Sequence, residues 1–76
     1  MELRELMEVL RHLARDPSVN RLPLAEIRIN EYLRSQHDSA RQSAIARLRD
    51  AIRAEPRERA IVSEFWSSVE EYISTL

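Results

Sequence analysis

The sequence predicts an all-α fold, a small bundle of about four short helices. Three observations predict it. The 76 residues contain no glycine, so no position offers an easy route to positive φ. Two-residue hairpins, phosphate loops and dinucleotide fingerprints usually need that freedom. Apolar residues recur at three- and four-residue spacing through most of the chain, the period of an amphipathic helix. Pro17, Pro23 and Pro56 sit at the edges of these runs rather than inside them.

The length implies one domain, residues 1–76. A chain this short buries only about 60% of its unfolded surface. Domains of this size are often reinforced by disulfides, a metal or a partner. There is no cysteine, and the two histidines, His12 and His37, lie far apart in sequence. Self-association or docking onto another protein is the remaining reinforcement.

The first helix is expected over Glu2 to Arg15. Leu3, Leu6, Met7, Leu10, Leu13 and Ala14 keep the helical spacing without a gap. Glu2, Glu5 and Glu8 suit the positive end of the helix dipole, and Arg11 and Arg15 the negative end. Asp16-Pro17 stops the helix, because proline disfavours a helical residue before it. Residues Pro17 to Leu22 read as a loop. Pro23 fits the first position of a second helix running to about Ser35. Leu22, Ala25, Ile29, Tyr32 and Leu33 share one face of it, while Leu24 and Ile27 point the opposite way.

Gln36-His37-Asp38 forms a break, followed by a capping-box pattern with Ser39 as cap and Gln42 three positions on. The third helix then runs to about Glu55, with Ala44, Ile45, Leu48, Ala51 and Ile52 inward. Pro56 is read as opening the fourth helix, which continues to Ser74. There Ile61, Val62, Phe65, Trp66, Val69, Tyr72, Ile73 and Leu76 cover about 140° of the wheel, against the ~100° one core-facing side requires.

Charge is uneven. Residues 39–59 hold six arginines against Asp50, Glu55 and Glu58, and residues 60–76 hold Glu64, Glu70 and Glu71 with no base. Side-by-side packing of the last two helices accounts for this asymmetry. The net charge of −1 makes the whole chain no electrostatic lure for nucleic acid or membrane. All twelve basic residues are arginine, a usage that fits a GC-rich bacterial or phage genome. MELRELMEVL has neither the basic region nor the apolar core of a signal peptide. A cytoplasmic protein is expected.

No catalytic constellation emerges. His12 lies opposite the leucine seam and His37 in a polar break, and neither has a nucleophile at helical spacing. Glu8 and His12 make one half of a metal site with no second half. No enzyme, cofactor or metal is expected, and no small-molecule substrate is evident.

The functional expectation is a small regulatory or adaptor protein that binds another protein, or itself as a homodimer, through apolar helix faces. Trp66, Phe65 and Ile73 are the candidate interface, with Leu24 and Ile27 as a second patch. Arg49, Arg53, Arg57 and Arg59 would form a charged rim. The rival expectation is a nucleic-acid-binding regulator using the Arg41–Arg59 region. Membrane binding is disfavoured, since the polar side of the fourth helix carries acids and no base.

Overall fold

The computed structural model describes residues 1–76 as four α-helices and no strands: α1 Leu3–Arg15, α2 Arg21–Arg34, α3 Arg41–Arg53 and α4 Ala60–Ser74. The radius of gyration is 11.8 Å, close to the ~11 Å expected of a compact chain of this length. No helix is long and apolar enough to cross a membrane.

All four helices feed one core of sixteen buried residues. Leu6, Met7, Leu10 and Ala14 come from α1; Ala25, Ile29, Tyr32 and Leu33 from α2. Ala44, Ile45, Leu48 and Ile52 come from α3; Phe65, Trp66, Val69 and Ile73 from α4. Each set lies at helical spacing, so a stripe on every helix turns to the common axis. No polar or charged residue is buried, and no buried side-chain polar atom lacks a partner.

Helix α4 packs against each of the other three helices. The burial of its apolar residues in that packing corrects the expectation that this arc serves docking. Phe65 is 0% and Trp66 1% exposed, and Ile73 is buried as well. Their rings and methyls are already covered by neighbours of the same chain. Phe65 and Trp66 meet edge to face, with centroids 5.1 Å apart and planes at 75°, a favoured aromatic geometry.

The connections depart from the expected boundaries. Helix α2 begins at Arg21, two residues before Pro23. The Asp16 carboxylate accepts from the Ser18 N–H at 2.9 Å, and Ser18 Oγ accepts from the Asn20 N–H at 3.2 Å. These local turns wind the chain into the helix early. Pro23 then occupies the third helical position, where a missing N–H is harmless.

The capping box at Ser39 does not form. Asp38–Ala40 is a 3₁₀ turn, closed by the Ala40 N–H on the His37 carbonyl at 2.9 Å. Ser39 therefore lies inside a turn instead of taking the extended cap conformation. Pro56 does not open α4. Residues 56–59 are an irregular connection, and Arg59, extended at φ −115° and ψ 145°, precedes the helix.

Candidate functional site

Two surface features stand out once the core is accounted for. The first is the outer face of α2. Leu24 is 44% and Ile27 53% exposed, and Val19, just ahead of the helix, is 92% exposed. Leu24 and Ile27 are three residues apart and so share a helical face. Ala25, Ile29, Tyr32 and Leu33 hold the opposite face in the core. A helix on the outside of a bundle cannot bury both sides. Arg28 and Glu31 flank the patch and pair with each other at 3.3 Å.

The second feature is a cleft of about 150 Å³ where the end of α1, the α3–α4 connection and the start of α4 converge. Ala14, Val62 and Trp66 supply apolar lining. Arg11, Arg15, Arg59, Glu55 and Glu58 supply the charged rim, beside Pro56. Arg11 reaches across it to Glu55 with two hydrogen bonds, Nε to Oε1 at 3.0 Å and Nη2 to Oε2 at 3.1 Å. This paired geometry suits a guanidinium facing a carboxylate. The bond to Glu55 raises the Arg11 pKa above the ordinary arginine value, against a smaller opposing effect of burial. The folded protein therefore holds that proton more tightly than the unfolded chain. The resulting stabilisation is fully present at neutral pH and is lost only as pH rises through the arginine range.

The expected arginine rim does not act as one unit. Arg57 donates to the Ile52 carbonyl at 3.3 Å and pairs with Glu70. It thereby adds a donor to a carbonyl that already accepts from the Glu55 N–H at 3.1 Å, and ties α3 to α4. Arg49 and Arg53 border a shallow groove with Ser67, Glu70, Glu71 and Ser74. Arg59 lies apart from these, at the cleft. The positive third helix and the acidic fourth thus lie side by side, as the charge asymmetry suggested.

Arg21 is a residue that sequence reasoning missed. Its Nη1 donates to the Ala14 carbonyl at 2.9 Å and to the Asp16 carbonyl at 3.3 Å. Its guanidinium carbon lies 5.3 Å from the centre of the Phe65 ring, within cation–π range. One side chain therefore closes the end of α1, fixes the α1–α2 turn and covers the core. The Arg11–Glu55 pair, 44 residues apart, was equally invisible, because no spacing rule links such distant positions.

His12 and His37 are both exposed, and neither side chain hydrogen-bonds to a carboxylate or hydroxyl of the protein. No group of three or more His, Cys, Asp or Glu side chains converges as a metal site would require. Comparison with protein-family models, curated proteins and solved structures gives no match.

Proposed function

We propose that this is a small, non-catalytic interaction protein that docks onto a partner protein through the outer face of α2. The observation that carries this reading is the exposure of Leu24 and Ile27 on one face of a helix whose other face is fully committed to the core. Single exposed apolar residues are ordinary. Leu24 and Ile27 share a helical face and so form a patch that a partner's apolar surface would cover. Val19, exposed in the turn before α2, adds a third apolar side chain on the same stretch of sequence. The patch is small, so affinity would come from fit at these side chains more than from area. A regulatory or adaptor role in a bacterial or phage cytoplasm fits the arginine usage and lack of cysteine.

Affinity capture with wild type and the Leu24→Gln/Ile27→Gln variant tests this proposal, alongside sedimentation equilibrium of both. Glutamine keeps helix propensity while removing the apolar contact. The expected result is an association, with a partner or with a second copy, that the double substitution abolishes. Identical behaviour of the two proteins would overturn the proposal.

A second reading, nucleic-acid binding, has one observation in its favour: Arg41, Arg47, Arg53 and Arg59 are exposed and outside the chain's three ion pairs. The commitment of Arg57 to Glu70, and the nearness of Glu70 and Glu71 to Arg49 and Arg53, weigh against a continuous phosphate track. Duplex binding that weakens steeply between about 50 and 200 mM salt would favour this second reading.

A further inference from the structure

We propose that the cleft between α1, α4 and the α3–α4 connection binds a small monocarboxylate with a compact aliphatic body. Of the molecule's three surface concavities, this one alone has apolar side chains in its lining. Val62, half-buried, is the accessible apolar side chain of the lining, with Ala14 and Trp66 beneath it at 2% and 1% exposure. An aliphatic chain laid there would remove apolar surface from water on both partners.

The rim supplies the anion's contacts. Arg11 is occupied by Glu55. Arg15 and Arg59 line the cleft, are exposed, and make no ion pair or side-chain hydrogen bond within the chain, so their donors are unspent. The charged lining is three arginines against Glu55 and Glu58, a single net positive charge. A monoanion neutralises it, whereas a dianion would leave a surplus of negative charge beside two carboxylates. Guanidinium groups also suit the two oxygens of a carboxylate. The Leu24–Ile27 patch plays no part in this site.

Trp66 is the only tryptophan and lines the cleft, so its single indole N–H resonance serves as the reporter. The test is a titration of the whole protein with hexanoate, with hexanamide as the uncharged control and inorganic phosphate as the anion without a tail. Hexanoate is expected to shift the Trp66 resonance saturably, with a Kd on the order of millimolar. Hexanamide and phosphate are expected to bind at least about tenfold more weakly. The Arg15→Gln/Arg59→Gln variant changes two exposed side chains and should lose the hexanoate response, while Leu24→Gln/Ile27→Gln keeps it. No saturable shift with hexanoate, equal binding of hexanamide or phosphate, or an undiminished response in the arginine variant would each overturn the proposal. Should the arginine variant misfold, the wild-type comparison of hexanoate with hexanamide and phosphate decides alone.

Discussion

Helices α2 and α4 both carry apolar residues beyond a single stripe, and the fold disposes of them in opposite ways. On α4 the surplus is contiguous. Phe65, Trp66, Val69 and Ile73 form one broad arc, and three neighbouring helices cover it. On α2 the surplus is separated. Leu24 and Ile27 lie across the helix from Ala25, Ile29 and Leu33, and they stay exposed. Both helices meet all three others, so what separates them is where the surplus lies round the helix and not how many neighbours it has. Two opposed patches report that one of them is outside the core. A wide arc alone is not evidence of a docking surface.

The sharpest way to break this comparison is to remove the largest side chain of the buried arc. Trp66→Ala should cost about 3–5 kcal/mol through lost burial and a cavity. In a domain this small, that approaches the whole stability. Thermal denaturation followed by circular dichroism should show no cooperative transition, or one greatly lowered. Retention of the wild-type transition would mean that the arc is not the centre of the core.

Arg21→Ala comes next, at about 1–2 kcal/mol, because it removes donors to two backbone carbonyls and a cation from Phe65. Chemical denaturation measures this, and hydrogen exchange should show the α1–α2 turn opening first. Arg57→Ala should cost less, about 0.5–1 kcal/mol, since its pair with Glu70 is partly solvated. Part of that loss should disappear at high salt. The smallest effect belongs to Leu24→Gln/Ile27→Gln, expected within about 0.5 kcal/mol per site. Its consequence should appear in association and not in stability.

These effects also mark how much of the molecule was legible in the sequence. The inward positions were readable on every helix, because burial imposes a period that few other forces imitate. Leu6, Leu10, Ile29, Leu48 and Val69 all follow it. The exposed position of Leu24 and Ile27 was readable for the same reason. Helix ends were less so. Pro23 fits both the first and third helical positions, and Ser39 suits both a cap and a turn, so local chemistry left each boundary open. Trp66 sits at the edge of its arc, where the sequence does not say whether a neighbour closes over it.

What spacing could not supply was any feature made by distant segments. The Arg21 bridge, the Arg11–Glu55 pair and the cleft depend on helices meeting in space. The Arg57–Glu70 pair was half visible, as a positive segment followed by an acidic one. In that case the charge pattern identified the partners' elements but not the residues.

The inward and outward assignment of the two apolar surfaces is tested most directly by denaturant unfolding of Trp66→Ala and Leu24→Gln/Ile27→Gln beside wild type, at one low protein concentration. The expected result is that Trp66→Ala loses its folded baseline while the α2 variant keeps the wild-type midpoint. An α2 variant that unfolds while Trp66→Ala stands would contradict it, and would place the stabilising surface on the face of α2 that the structure leaves to solvent.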